Sequence, residues 1–272
     1  MTSDVRAVLE TLLAVARSAA GVILEVYGRP FDVERKRARE PVTVADRRAN
    51  ALICETLSAR FPGVPIVAEE SDPATFRDFR AAPQVLFVDP LDGTREFIAR
   101  NGEFAVMIGL LDGARAAAGA VHAPVAGTGW AGGPGVGAWG VESDGRWVPV
   151  RVSPTRDLGR ARLVASRSHR SASLRSALAA LGGASVRALG SAGLKGAEVA
   201  QGAADAYVDT GPGTKRWDAC AIDALVTAAG GRVTDTRGAP IDYRGPELAN
   251  RHGLIVTNGL LHDTIMARLR LG

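Results

Sequence analysis

The sequence Asp89-Pro90-Leu91-Asp92-Gly93-Thr94 follows a run of four apolar residues, 85–88, which predicts a buried β-strand. We expect this strand to end at Pro90, because proline has no N–H group to donate to a neighbouring strand. Gly93 lets the backbone approach a ligand closely, and Thr94 opens a stretch that predicts a short helix. Two carboxylates three residues apart at a strand end suit a hard cation and phosphate oxygens. The alternative interpretation is a turn with solvated carboxylates.

Predicted helices and strands alternate on both sides of this segment. Helical spacing of apolar residues covers residues 5–27, 44–60, 172–181, 189–201, 217–229 and 260–269. Short apolar runs predict strands at residues 65–68, 104–111, 116–122, 163–166, 206–208, 232–234 and 254–256, with a hairpin turn at Asp112-Gly113. The alternation indicates an α/β or α+β layered architecture.

Composition excludes several classes of protein. The 272 residues are 46% hydrophobic, which is enough for a sizeable core, and carry a net charge of +4 without long runs of like charge. We therefore expect no nucleic acid polymer as partner. The sequence suggests no leader peptide and no continuous apolar run of membrane-spanning length, so we expect no membrane span and a cytoplasmic location. Cys54 and Cys220 have no metal-ligand spacing and are expected to be reduced thiols, with a disulfide between them as the alternative.

Acidic residues recur at the predicted ends of strands and helices. Each one alone is more often a cap or a surface charge, but together they form an oxygen-rich, thiolate-free set that suits Mg²⁺. The four histidines show no zinc-ligand spacing. The acidic set comprises Asp46, Glu69, Glu70, Asp89, Asp92 and Asp218.

These motifs together resemble a known family. Residues 89–94, with Glu69-Glu70 upstream and Trp217-Asp218 downstream, are similar to the signature of the lithium-sensitive, Mg²⁺-dependent phosphomonoesterases of the inositol monophosphatase superfamily. Residues 95–104, 166–169, 190–195 and 211–218 resemble its 3'(2'),5'-bisphosphate nucleotidases of the CysQ type. The resemblance implies an inositol monophosphatase-like αβαβα sandwich. It also implies one catalytic unit over residues 1–272, with an N-terminal half of about 1–152 and a C-terminal half of about 153–272, and a possible homodimer.

The resemblance also implies a set of metal ligands. Glu69, Asp89 and the Leu91 carbonyl would hold one Mg²⁺, and Asp89, Asp92 and Asp218 a second. Glu69 would orient a third, weaker ion through water, which gives two or three ions per site. A metal of this kind lowers the pKa of bound water and stabilises the oxygens of an in-line displacement.

Catalytic and substrate-binding roles follow from the same resemblance. Asp46 and Thr94 would form a relay in which the threonine hydroxyl takes a proton from metal-bound water and passes its own to the aspartate. The backbone N–H groups of Gly93 and Thr94 would receive phosphate oxygens. Arg216 either meets phosphate or flanks the turn. The remaining candidate substrate contacts are Ser191, Lys195, Ser168 and His169.

The expected activity is hydrolysis of the 3'-phosphate of adenosine 3',5'-bisphosphate to AMP and phosphate, which would clear a by-product of sulfate assimilation. The substrate is therefore a small phosphorylated molecule. One alternative is an inositol monophosphatase or a broad-specificity sugar-phosphate phosphatase on the same scaffold. Another is a non-catalytic phosphate sensor, whose expected mark would be loss of Asp46, Asp92 or Thr94, and all three residues are present.

Overall fold

The computed structural model describes residues 2–35, 41–76, 78–182 and 185–271. The N-terminal half contains α1 (Thr2–Tyr27), β1 (Val33–Arg35), β2 (Pro41–Thr43), α2 (Val44–Arg60), β3 (Ile66–Ala68), β4 (Gln84–Asp92), α3 (Thr94–Ile98), β5 (Ala105–Asp112), β6 (Arg115–Ala123), β7 (Thr128–Gly133), β8 (Gly137–Val141) and β9 (Trp147–Pro149). The C-terminal half contains β10 (Arg162–Ser166), α4 (Ala172–Leu181), β11 (Ser185–Leu189), α5 (Ala192–Ala200), β12 (Ala206–Asp209), α6 (Arg216–Ala228), β13 (Arg232–Thr234), β14 (Leu254–Thr257) and α7 (His262–Leu271).

The larger sheet has seven strands in the order β3-β4-β5-β6-β7-β8-β9. Strands β3 and β4 are parallel and the other neighbours antiparallel. The expectation that the central strand ends at Pro90 was wrong, because β4 continues to Asp92, which pairs with Ala105. The register shifts between Asp89 and Asp92, so Pro90 lies in an irregularity where its missing N–H breaks no regular ladder bond.

The smaller sheet has five strands in the order β11-β10-β12-β14-β13. Strand β10 is parallel to β11 and β12, whereas β14 is antiparallel to both of its neighbours. The predicted helix 189–201 was wrong at its start, since β11 ends at Leu189 and α5 begins at Ala192. Ser191, with a φ of 56°, turns the chain, and its hydroxyl accepts the N–H of Leu194 as a helix cap. The last helix lies two residues later than predicted.

Five layers result from the packing of helices on the two sheets. Helices α1 and α2 cover the outer face of the seven-stranded sheet, and α5 and α6 lie between the sheets. Helices α4 and α7 cover the outer face of the five-stranded sheet. Close approach of α6 requires glycine at position 119 of β6, where a Cβ would lie 2.1 Å from the Ala221 carbonyl oxygen. The structure confirms the predicted αβαβα sandwich.

Helix α1 is long and apolar enough over Val5–Tyr27 to cross a membrane by length and composition alone. The sequence-based expectation had not identified such a segment. The residues that give the helix its apolar character are those that pack on the seven-stranded sheet. Leu9, Leu12, Ala16, Ala19 and Ile23 are fully or almost fully buried there. In this structure α1 is therefore a core helix.

Candidate metal centre and substrate cavity

An acid-rich cavity of about 330 Å³ opens where the two halves of the chain meet. The end of β4 and the start of α3 form one side, and the first turns of α5 and α6 and the end of β12 form the other. Its lining includes most of the predicted site residues: Glu69, Asp89, Leu91, Asp92, Gly93, Thr94, His169, Ser191, Lys195 and Asp218. The fold thus gathers side chains that are up to about 150 residues apart in the sequence.

Three aspartates form the centre of this cavity. Asp89 and Asp92 flank the irregularity of β4, and Asp218 lies in the first turn of α6. Each offers one carboxylate oxygen, and these oxygens all lie within 4.8 Å of one another. The Leu91 N–H donates to Asp89 Oδ1 at 3.0 Å, and the Lys215 N–H donates to Asp218 Oδ2 at 2.6 Å. Backbone groups therefore help to fix the orientation of these two carboxylates.

Burial and the close approach of these carboxylates raise their pKa values. Burial, together with the charges of Glu69, Asp92 and Asp218, raises the pKa of Asp89 well above its usual range. Burial and the charge of Asp92 raise the pKa of Asp218 to about 7. Mutually repelling oxygen ligands with no sulfur or imidazole among them match the preference of a hard divalent cation. The donor set therefore fits Mg²⁺.

A second pair of predicted residues meets at the edge of the cavity. The Thr94 hydroxyl donates to Asp46 Oδ1 at 3.0 Å and also lies 3.3 Å from the Leu91 carbonyl oxygen. Asp46 is buried in the first turn of α2, where its other oxygen accepts the backbone N–H of Thr43 at 2.7 Å and the Thr43 hydroxyl at 2.6 Å. Burial raises the pKa of Asp46, and these hydrogen bonds oppose the increase. The arrangement can accept a proton from Thr94.

Residues at the start of α5, in the C-terminal half, donate hydrogen bonds to Asp92. The Ser191 hydroxyl donates to Asp92 Oδ2 at 2.5 Å, and the Gly193 N–H donates to the same oxygen at 2.8 Å. Lys195 is only 3% exposed, and its Nζ donates to the Ser191 carbonyl oxygen at 2.6 Å. Burial lowers the pKa of Lys195, while Asp92 acts in the opposite direction. Lys195 therefore holds the Ser191 turn and adds positive charge behind Asp92.

The other predicted contacts take different positions. Gly93 has a left-handed backbone with a φ of 100°, and a Cβ there would lie 3.1 Å from the Glu103 carbonyl oxygen. His169 lies exposed at the rim of the cavity. Ser168 does not line the cavity; its hydroxyl donates to Glu96, which does. Arg216 lines a separate cavity, so the suggestion that it meets the substrate phosphate here is not supported.

The sequence analysis missed Asp209. This residue ends β12, lines the acid-rich cavity and accepts the Gly211 N–H at 2.9 Å. Burial raises its pKa, and the Gly211 hydrogen bond and the charge of Lys195 oppose the increase. The sequence did contain a usable signal, because the rule that selected Asp89 at a strand end applies equally to the residue after the predicted strand 206–208.

The layered fold and its carboxylate cluster define a class, that of phosphatases built on an αβαβα sandwich with a candidate metal site between the two halves. The chain matches the inositol monophosphatase family over residues 4–270. It is 39% identical over 237 residues to the 3'(2'),5'-bisphosphate nucleotidase CysQ of Escherichia coli K12, covering 86% of this chain and 93% of that protein.

Solved structures agree with this relationship. The extragenic suppressor protein suhB from Bartonella henselae superimposes with a TM-score of 0.84 at 26% identity, covering 98% of this chain and 99% of that chain. CysQ from Bacteroides thetaiotaomicron, described as a bacterial member of the inositol monophosphatase family, gives a TM-score of 0.78 at 28% identity, with coverage of 93% and 97%. The chain belongs to the inositol monophosphatase family and is a phosphatase.

Proposed function

We propose that this protein is a Mg²⁺-dependent 3'(2'),5'-bisphosphate nucleotidase that hydrolyses the 3'-phosphate of adenosine 3',5'-bisphosphate to AMP and phosphate. The observation that carries the proposal is the convergence of Asp89, Asp92 and Asp218 within one cavity, beside the hydrogen-bonded pair Thr94 and Asp46. The similarity to CysQ nucleotidases supports the choice of substrate. The substrate is a small phosphorylated molecule, and we expect the enzyme to act in the cytoplasm.

The cluster would divide its ligands between metal sites. Asp89, Asp92 and Asp218 would hold one Mg²⁺, and Glu69, Asp89 and the Leu91 carbonyl another, with a weaker third ion near Glu69. Bound Mg²⁺ would supply a water of lowered pKa and offset charge on the phosphoryl group. The close carboxylate oxygens support this assignment, because a dication relieves the repulsion that raises the pKa of Asp89.

Thr94 and Asp46 would transfer the proton of the attacking water. The attacking water gives its proton to Thr94 Oγ1, and the threonine passes its own proton to Asp46 Oδ1, 3.0 Å away. Asp46 is suited to accept it, because its burial raises its pKa above that of an ordinary aspartate. The backbone N–H groups of Gly93 and Thr94, at the turn into α3, donate hydrogen bonds to phosphate oxygens.

The C-terminal half supplies the substrate side of the cavity. Ser191 and Lys195 set the shape and the positive charge of this side, and His169 lies at its rim. Ser168 acts on it only through its hydrogen bond to Glu96. Each half contributes residues to one cavity, which supports a single catalytic unit over residues 1–272.

A second candidate function is hydrolysis of an inositol or sugar phosphate. Asp209 favours it, because a carboxylate on the substrate side accepts hydrogen bonds from hydroxyl groups and repels a second phosphate. In this case the Asp209→Asn variant would raise kcat/KM for the bisphosphate relative to inositol 1-phosphate by about tenfold, a barrier change of about 1.4 kcal/mol.

Phosphate release from a panel of substrates tests the proposal. We expect Mg²⁺-dependent release from adenosine 3',5'-bisphosphate, with kcat/KM well above that for inositol 1-phosphate and for sugar phosphates. Asp89→Asn is the matched control, because it keeps the size of the side chain and removes its charge. Equal kcat/KM for the bisphosphate and inositol 1-phosphate would contradict the substrate assignment, and unchanged activity in Asp89→Asn would contradict the metal site.

A further inference from the structure

A second cavity of about 340 Å³ lies beside the first turn of α6, where Arg216 and the connection between β13 and β14 form its wall. Among the residues that the structure describes, its lining shares none with the acid-rich cavity. Arg216 is only 3% exposed, and its Nη1 is enclosed by protein without a hydrogen-bond partner in this part of the chain. The proposed catalytic steps make no use of this guanidinium.

The position of this guanidinium favours the binding of an anion. Arginine stays protonated in proteins, so burial cannot neutralise it as it can a lysine or an aspartate. A buried charge without a hydrogen-bonded partner is strongly unfavourable. Arg216 is also the first residue of α6, where the helix dipole adds positive potential to its own charge. Both effects favour a negatively charged group in the adjoining cavity.

The carboxylates that line this cavity accept hydrogen bonds or ion pairs from other groups, and none of them accepts a hydrogen bond from Arg216 Nη1. Glu247 forms an ion pair with Arg251. Asp242 Oδ1 accepts two backbone N–H groups at 2.9 Å each, and Asp235 Oδ1 accepts two more at 2.8 and 2.9 Å. None of these carboxylates forms an ion pair with Arg216 among the described residues. The charges of Asp242 and Glu247 favour the protonated guanidinium of Arg216, but its Nη1 still has no hydrogen-bond partner among the described residues. The N–H groups of Nη1 are therefore left for an acceptor from outside the chain.

We propose that this cavity binds a small oxyanion, a carboxylate or a phosphate-type group, on the Arg216 guanidinium. The planar fork of N–H donors suits two oxygens of such a group. The cavity wall is held firmly to α6, because the Arg216 N–H donates to the Leu248 carbonyl at 3.0 Å and Asn250 Nδ2 donates to the Lys215 carbonyl at 2.7 Å. The anion would then be held between this wall and the turn that carries Asp218.

Nuclear magnetic resonance of arginine Nε–Hε groups tests the site directly in the Mg²⁺-loaded full chain. The Arg216 signal is assigned by its loss in Arg216→Lys. Sodium sulfate and sodium acetate are then titrated separately at constant ionic strength, one as a tetrahedral and the other as a planar probe. We expect a saturable shift of the Arg216 signal with at least one anion, and the tighter probe identifies the ligand class.

Two controls separate this site from the acid-rich cavity and from general salt effects. The signal of Arg232, an exposed arginine paired with Asp263, should show no saturable shift. The Arg216 shift should keep its half-saturation point in Asp89→Asn. Loss of saturation in that variant would show that the shift is transmitted from the acid-rich cavity, and this would overturn the proposal.

Thermal unfolding provides a second measurement. The probe anion should raise the Tm of the unaltered protein, and Arg216→Lys should need about tenfold more anion for the same increase, because lysine lacks the bidentate fork. If neither anion causes a saturable shift of any arginine Nε–Hε signal, the proposal is contradicted, and this result requires no folded lysine variant.

Discussion

Asp46 and Asp218 occupy the same position in two different helices, and they differ in what the fold places opposite them. Each lies in the first turn, where its Oδ2 accepts the N–H of the residue before the helix, at 2.7 Å in α2 and 2.6 Å in α6. Asp46 faces the hydroxyl of Thr94, a donor. Asp218 faces the carboxylates of Asp89 and Asp92. The same local motif thus supports two proposed roles, a proton acceptor in the first helix and a metal ligand in the second.

The largest expected effect comes from Asp218→Asn. Asparagine can still accept the Lys215 N–H, so the helix cap remains while the negative charge is lost. We expect kcat/KM to fall by at least about a thousandfold, a barrier increase of about 4 kcal/mol. We also expect Mg²⁺ to lose most of its effect on Tm. Near-normal Mg²⁺-dependent activity would show that Asp218 acts only as a cap.

Asp46→Asn should have a smaller and different effect. The substitution keeps the acceptor for the Thr43 N–H but removes the carboxylate that we propose takes the Thr94 proton. We expect kcat to fall by about a hundredfold, the usual range for loss of a general base. Mg²⁺ affinity, measured by calorimetry, should stay within about twofold of the unaltered protein. A parallel loss of Mg²⁺ affinity would indicate that Asp46 also supports the metal site.

The metal-free protein should lose stability as pH rises. Asp218 has a pKa of about 7 in the folded chain and about 3.9 when unfolded, so the folded state binds more protons between these values. Stability therefore falls as pH increases from about 4 to about 7, and the raised pKa of Asp89 acts in the same direction. Tm measured in a chelator across this range tests the expectation.

Two controls sharpen the pH experiment. Asp218→Asn should reduce the pH dependence, because the amide does not titrate, and saturating Mg²⁺ should reduce it for the unaltered protein. Asp223, whose pKa burial raises to about 6, should contribute in both cases. A Tm that rises with pH in the chelator would contradict the inference that burial and mutual repulsion raise the pKa values of Asp89 and Asp218.

The smallest expected effect concerns the hydroxyl cap that α2 has and α6 lacks. The Thr43 hydroxyl accepts the Ala45 N–H at 3.1 Å and donates to Asp46, whereas Lys215 has no side-chain cap. Thr43→Val should reduce the free energy of unfolding by about 1 kcal/mol. Mg²⁺ affinity should be unchanged. Chemical denaturation measures the first quantity, and a loss of Mg²⁺ affinity would show that the two first turns are not independent.

The sequence predicted those parts of the fold that depend on local patterns. Helix 44–60 and the hairpin around Asp112-Gly113 were correct, because apolar spacing and turn residues determine them locally. Strand β11 was missed, since its exposed residues at the sheet edge lack the apolar run of a central strand. The strand through Pro90 was missed because a register shift is a property of the pair β4 and β5 and not of either sequence alone.

The candidate site shows the same division. The family resemblance assigned Asp46, Thr94 and Asp218 to one site, whereas local sequence patterns alone indicated only that each acid could be a helix cap. The burial of Lys195 could not be inferred, because it depends on how α5 packs against β12 and β5. The burial of Arg216 Nη1 without a hydrogen-bond partner likewise depends on the wall formed by residues 235–253, which carries none of the motifs found in the sequence.

The most direct test is a crystal structure of the protein with Mn²⁺ in place of Mg²⁺ and with phosphate, using anomalous scattering to locate the metal. Our account predicts a strong peak with carboxylate oxygens of Asp89, Asp92 and Asp218 at coordination distance and a phosphate oxygen completing the shell. A metal peak that lies outside this cluster, or a cluster that stays free of metal at saturating Mn²⁺, would contradict it.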